Sequence, residues 1–226
     1  MLLREDFTPE RIDAIIAEAR KHGPYDALTH EERAQSRYNF LQAANIPKEG
    51  LWVFGYGSLL WNPAFHYIKS EPARLFGYRR HFCLRLTMGR GSIDKPGIML
   101  ALDTGGSCNG RAFLIEPDAI DSETRILWMR EMLSGAYVPH WGRFKFQDRT
   151  VPGLTFIVNK QHSRYVPQMP QSETLECLAQ GEGYLGSCRE YLENTISHLD
   201  EIRVKDAYLH RLQSLLQASH PAAHKK

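Results

Sequence analysis

Between residues 51 and 158 the chain returns again and again to short strand-like runs, and no regular helix follows each of them. The runs are 51–54, 82–86, 98–102, 110–115, 144–146 and 154–158, each apolar or aromatic and bounded by glycine, proline or charge, as strands are. A doubly wound parallel sheet needs a crossover helix after every strand. The succession therefore reads as an α/β chain of the α+β type. One helix interrupts it, with Asp121 as its cap, Ile126, Leu127, Arg130, Glu131 and Ser134 at helical spacings, and Gly135 as its stop.

Two helices precede the strands. Residues 8–22 carry Pro9 in the first turn and Ile12, Ile15, Ile16 and Ala19 on one face. Thr29 and Glu32 form the two halves of a capping box that opens a second helix, running to about residue 44. Helical signals return after Ser172, near 189–195 and from about 202 to 217, where Leu209, Leu212 and Leu216 form an apolar stripe. The expected organisation is an N-terminal helical extension over 1–50 packed on the core, one domain over 51–217, and a flexible tail over 218–226.

Charge and composition remove several functions. The 226 residues hold 28 Lys and Arg against 26 Asp and Glu, a formal charge of +2, too balanced for the electrostatic term that nucleic-acid binding draws on. Arg74, Arg79, Arg80, Arg85 and Arg90 follow strand-like runs instead of lying on a recognition helix, so no nucleic-acid partner is expected. No stretch approaches the ~18 apolar residues of a membrane span, and the first residues lack a secretory pattern. Cytoplasmic localisation and no membrane partner are expected. Cys83, Cys108, Cys177 and Cys188 are irregularly spaced, which suits free thiols in a reducing compartment, and no His, Cys and carboxylate cluster has metal spacing. A monomer is the simplest expectation.

The chemistry concentrates at Phe54-Gly55-Tyr56-Gly57-Ser58-Leu59-Leu60. Two glycines let a strand turn sharply, so that successive amide N–H groups can converge on an anionic or developing oxyanion ligand. By itself the run is equally an ordinary tight turn, since neither a dinucleotide fingerprint nor a phosphate-loop lysine follows.

The longer run Phe54-Gly55-Tyr56-Gly57-Ser58-Leu59-Leu60-Trp61-Asn62-Pro63 resembles the signature of the ChaC family, glutathione-specific γ-glutamylcyclotransferases. The likeness continues through Gly77-Tyr78-Arg79-Arg80-His81-Phe82-Cys83-Leu84-Arg85, Gly89-Arg90-Gly91-Ser92, Leu127-Trp128-Met129-Arg130-Glu131-Met132 and Gly135-Ala136-Tyr137, covering roughly residues 51 to 195. It implies a γ-glutamylcyclotransferase-like mixed β-barrel surrounded by helices. It also implies a lyase-type cyclisation of glutathione to 5-oxoproline and cysteinylglycine, with no metal or organic cofactor.

The resemblance gives Glu131 the role of general base and acid, in its Arg-Glu-Met context. It gives the backbone of Tyr56, Gly57, Ser58 and Leu59 the γ-glutamyl portion of the substrate. Arg79 is a candidate for the glycine-end carboxylate or for a fold-holding salt bridge; Tyr137 and Tyr191 are candidates for hydrogen bonding to substrate or for packing. The strand period puts Arg79, His81, Cys83 and Arg85 on one side. In Gly186-Ser187-Cys188-Arg189-Glu190-Tyr191-Leu192, Cys188 stands where the family commonly has asparagine, either a substrate contact or a helix-end residue. The alternatives are a cyclotransferase for other γ-glutamyl dipeptides or amines, a non-catalytic γ-glutamyl-binding protein, and a hydrolase using Ser58, which would need a base and an orienting acid.

Overall fold

The computed structural model describes residues 2–21 and 23–219, and the tail expected at 218–226 lies outside the described residues beyond Ser219. The described residues form two compact units. The first comprises residues up to His81 together with Ala101–Tyr165, the second Phe82–Leu100 together with residues from Val166 onward.

The first unit opens with α1 (Pro9–Lys21) and α2 (His30–Ala43). The capping box forms as read: the Thr29 N–H donates to Glu32 Oε2 at 2.7 Å and the Glu32 N–H to Thr29 Oγ1 at 3.1 Å. Ahead of α1, Arg4 holds the buried Glu123, its Nη2 donating to Oε1 at 2.8 Å while the His66 N–H donates to Oε2 at 2.7 Å. Burial alone would raise the Glu123 carboxyl, yet Arg4 and the His66 N–H hold it below the usual range.

The strands are β1 (Leu51–Gly55), β2 (Lys69–Leu86), β3 (Gly97–Ile115), β4 (Tyr137–Lys145) and β5 (Thr150–Val158), and they close into a barrel in the order β1-β3-β2-β4-β5. Pairing of β1 with β3 and of β4 with β5 is antiparallel, and the ring closes by a parallel contact of β1 with β5 at Val53 and Leu154. Closure removes the open strand edges that a flat sheet would leave. All five strands are longer than their sequence signals, β2 and β3 by the most. The runs 98–102 and 110–115 join into one strand through Gly105 and Gly106, and β2 begins at Lys69, in a polar stretch with no apolar run to announce it.

Every residue of β1 is buried. Leu51 and Val53 join Phe113, Ile115, Leu154 and Phe156 in a core that also takes Leu127, Trp128 and Met132 from the helix α3 (Ile120–Glu131) and its end. Burying one such side chain contributes about 1.5–3 kcal/mol. Leu28, Phe40, Leu41 and Ile46 pack on the same core. On the opposite face of β1, Trp52 meets Phe146 and Phe54 meets Phe144, with ring centroids 4.9 and 5.2 Å apart. Gly110 lets β3 approach the end of β1, for a Cβ there would lie 2.3 Å from the Gly55 carbonyl oxygen.

Asp121 does not cap α3. A 3-10 turn over Pro117–Ala119 starts the helix, and Asp121 sits in its first turn, paired with Arg37 and Arg125 at 2.9 Å each. Proline at the start of that turn needs no N–H donor, so a side-chain cap is dispensable.

The second unit adds α4 (Gln171–Gln180), a two-residue pair β6 (Glu182–Gly183) and β7 (Gly186–Ser187), α5 (Cys188–Glu201) and α6 (Ala207–Ser219). Cys188 is the first residue of α5 and is fully buried. Its Sγ accepts from the Ile98 N–H at 3.3 Å and donates to the Arg90 carbonyl at 3.1 Å, the donor-and-acceptor service that an asparagine side chain also offers. Burial pushes its pKa up to about 11, so the thiol stays protonated. Cys188→Ala is expected to cost about 1–3 kcal/mol by leaving those backbone groups unmet. Urea unfolding of the pure protein measures this, and an unchanged midpoint would remove the thiol from the account.

Candidate active site

The first unit brings the glycine loop and Glu131 together through one side chain, Arg130. Its Nη2 donates to Ser58 Oγ at 2.8 Å, its Nη1 to the Asn62 carbonyl, and its Nε to Glu131 Oε1 at 3.0 Å. A planar guanidinium can hold three such acceptors in one geometry. Both charged side chains are mostly withdrawn from water, Arg130 keeping 11% and Glu131 14% of their exposure.

Glu131 is the last residue of α3. Burial raises its pKa above the ordinary carboxylate value, against the opposing pull of Arg130. The carbonyl ends of the last helical turn also disfavour a negative charge there. A carboxylate so placed is a stronger base than a solvated one and remains partly reachable.

The loop leaves β1 at Gly55 and folds at once into a 3-10 turn, Ser58–Leu60. Within it the Leu60 N–H donates to the Gly57 carbonyl, and those of Trp61 and Asn62 to the Ser58 carbonyl. The N–H groups of Gly57, Ser58 and Leu59 are outside these bonds, as the first donors of any helical turn are. Arg80, buried, donates from Nε to the Tyr56 carbonyl at 2.6 Å and from Nη2 to the Asn109 carbonyl at 2.7 Å. Thr155 Oγ1 donates to the Phe54 carbonyl at 3.2 Å. The backbone at Phe54 and Tyr56 is thus fixed by side chains from β5 and β2 before any substrate arrives.

Ser58 itself is held by a guanidinium, which cannot act as a base at neutral pH. That pairing removes the support a serine nucleophile would need. Leu59 packs in the core with Leu51 and Phe113. Tyr137 opens β4, half-buried beside the same core. Arg79 is exposed, while the next residue, Arg80, turns inward. Arg85 pairs with Glu173 in the second unit. Tyr191 also belongs to the second unit, buried on α5 with the Arg90 guanidinium 5.4 Å from its ring centroid.

Two residues that matter here were not singled out for this purpose by the sequence. Arg80 stands out in the sequence as one of five arginines and within the Gly77–Arg85 run, and Arg130 as a helical position next to Glu131, neither with a role assigned. The available signals were the strand period, which separates Arg80 from Arg79, and the adjacency of Arg130 to Glu131.

The segment after Glu131 is clamped. The Leu28 N–H donates to the Leu133 carbonyl at 3.0 Å, and Asn159 Nδ2 to the Gly135 carbonyl at 2.9 Å. His162 Nε2 lies 3.0 Å from the Ser134 carbonyl while its Nδ1 accepts from the Arg164 N–H at 3.2 Å. These bonds need neutral imidazole, and burial, then the Arg164 guanidinium, hold its pKa below the usual value. Burial also lowers His81 and His140. The unfolded chain takes up these protons near pH 6.5, so the stability they contribute is complete above that pH and lost as pH falls below it. Glu131, with its raised pKa, acts in the opposite sense, and the His162→Gln comparison separates the imidazole's share from it. The urea midpoint is expected to fall from about pH 7.5 to about pH 5.5, and the fall should shrink in His162→Gln. An equal fall in both proteins would exclude His162.

Among the described residues no group of His, Cys, Asp and Glu could hold a metal ion, and no helix is long and apolar enough to cross a membrane.

A family model described as ChaC-like protein matches residues 51–219. The chain is 39% identical over 184 residues to an Escherichia coli K12 protein named glutathione-specific γ-glutamylcyclotransferase, covering 80% of this chain and 79% of that one. It is 30% identical over 149 residues to the Homo sapiens protein named glutathione-specific γ-glutamylcyclotransferase 1, covering 64% of this chain and 67% of the other. Among solved structures, that of a yeast γ-glutamyl cyclotransferase specific to glutathione superposes with a TM-score of 0.69 at 21% identity, over 78% of this chain and all of that one. The mixed α and β fold with its closed five-stranded barrel is therefore shared with that enzyme.

Proposed function

The chain belongs to the ChaC-like protein family, and from that premise we propose that it cyclises the γ-glutamyl unit of glutathione, releasing 5-oxoproline and cysteinylglycine. The observation that carries this reading is the bridge from Glu131 through Arg130 to Ser58, which sets a base of raised pKa beside a turn whose first amide donors are outside its internal hydrogen bonds. The names of the Escherichia coli and human relatives support glutathione as the substrate.

In the reaction the substrate's α-amino nitrogen bonds to its own γ-carbonyl carbon, and the bond from that carbon to the cysteinyl nitrogen breaks. Nucleophile and electrophile share one molecule, so folding the substrate supplies much of the rate and no covalent enzyme intermediate is required. Glu131 takes the proton from the amine and returns one to the leaving nitrogen. The N–H groups of Gly57, Ser58 and Leu59 meet the substrate carboxylate and the carbonyl oxygen as it gains negative charge. Arg130 keeps Glu131 and the turn in register, while Tyr56 contributes its backbone, anchored by Arg80. Arg79 is assigned to the glycine-end carboxylate and Tyr137 to a hydrogen bond with the substrate. Four buried free cysteines suit a reducing compartment, and the enzyme is assigned to the cytoplasm, acting as a monomer.

Product analysis after incubation with reduced glutathione tests the reading. 5-Oxoproline and cysteinylglycine in equal amounts are expected. Free glutamate would indicate hydrolysis instead, and turnover confined to simple γ-glutamyl dipeptides would move the substrate away from glutathione.

A further inference from the structure

A cavity of about 310 Å³ lies where α2 and α3 pack, at the lower end of the range of small-molecule sites. Neither Glu131 nor any residue of the 56–60 loop lines it, so it is distinct from the candidate active site. Arg33, Arg37 and Arg125 contribute to its wall, with Trp128 and Met129 beside them, and no acidic side chain does.

The arginines are not equivalent. Arg37 and Arg125 both meet Asp121. Arg33 is only 3% exposed, and it donates to the Leu28 carbonyl and toward His30 Nδ1, both uncharged when the imidazole is neutral. Asp13 stands on the far side of that imidazole, 2.8 Å from Nε2. Among the described residues no carboxylate is within ion-pair distance of Arg33. Asp13, Glu31 and Glu32 act on it from beyond contact distance, yet burial outweighs them and holds the guanidinium below its usual pKa; a buried cation without a contact ion pair is costly. An anion entering the cavity would supply what is missing, and a guanidinium matches a carboxylate in two parallel hydrogen bonds. Trp128 and Met129 offer the same visitor a flat apolar wall.

We propose that this cavity binds a small molecule carrying one carboxylate on a flat apolar body, the carboxylate on Arg33 and the body against Trp128 and Met129. This stands apart from the cyclotransferase reading.

Calorimetric titration of the full chain with sodium benzoate, without glutathione, tests it. One site is expected, weakened at least about tenfold in Ala34→Phe, which fills the cavity from an exposed helical position. Inorganic phosphate, an anion without the apolar body, should bind at least tenfold more weakly than benzoate. In the wild-type protein, benzoate should shift the NMR signals of the Trp128 indole and the Met129 methyl group, a readout that needs no variant. Absence of benzoate binding, equal binding to a folded Ala34→Phe, phosphate binding as tight as benzoate, or shifts confined to other residues would each overturn the proposal.

Discussion

Glu131→Gln is expected to lower the turnover of glutathione by about 10²–10⁴-fold, the usual contribution of a positioned acid–base group, while fold and most of the substrate affinity persist. Glutamine keeps the shape of the side chain and can still accept from Arg130 Nε through its carbonyl oxygen. It cannot take the amine proton at any useful pH. Because the loss falls on a step made only in the transition state, kcat and kcat/KM should drop together, with KM little changed. Steady-state kinetics beside circular dichroism of the same sample measures this. A folded Glu131→Gln within a few-fold of wild type would end the proton-transfer role.

The second large effect concerns Arg130. Arg130→Met removes the donors to Ser58 Oγ and the Asn62 carbonyl and also the positive charge that holds Glu131 down. The Glu131 pKa should therefore rise further, moving the acid limb of the kcat/KM profile to higher pH. Each unit by which it passes the assay pH leaves about tenfold less of the ionised base. Arg130→Lys keeps the charge but not the planar fork, so its acid limb should stay nearer that of wild type while its rate remains low. If Arg130 only braced the fold, both variants would lose stability with the limb unmoved.

The helices before the core were readable because their signals are local. Pro9 in the first turn and the Thr29 and Glu32 capping box act within a few residues, and both appear where expected. The first four residues of β1 were equally readable, as a run apolar enough to be buried on both faces. Residues 69–81 of β2 were not, because Pro72, Gly77 and several charges interrupt an exposed stretch whose extended form comes from pairing with β4 at Arg74 and Leu75. The Asp121 cap was misread for a related reason. Its side chain answers arginines, and one of them, Arg37, lies on another helix.

At the site, the amino-acid order by itself determined the glycine loop and the Arg-Glu-Met context of Glu131, since these are matters of residue type and short spacing. Only the tertiary structure decided that Arg80 and not Arg79 turns inward, that Cys188 serves the backbone around Arg90 and Ile98, and that Ser58 meets Arg130 across 72 positions of chain. The physical reason is reach. Local sterics and hydrogen bonds fix a turn or a helix end, whereas burial, and with it the pKa of Glu131, depends on which distant segments pack around a side chain.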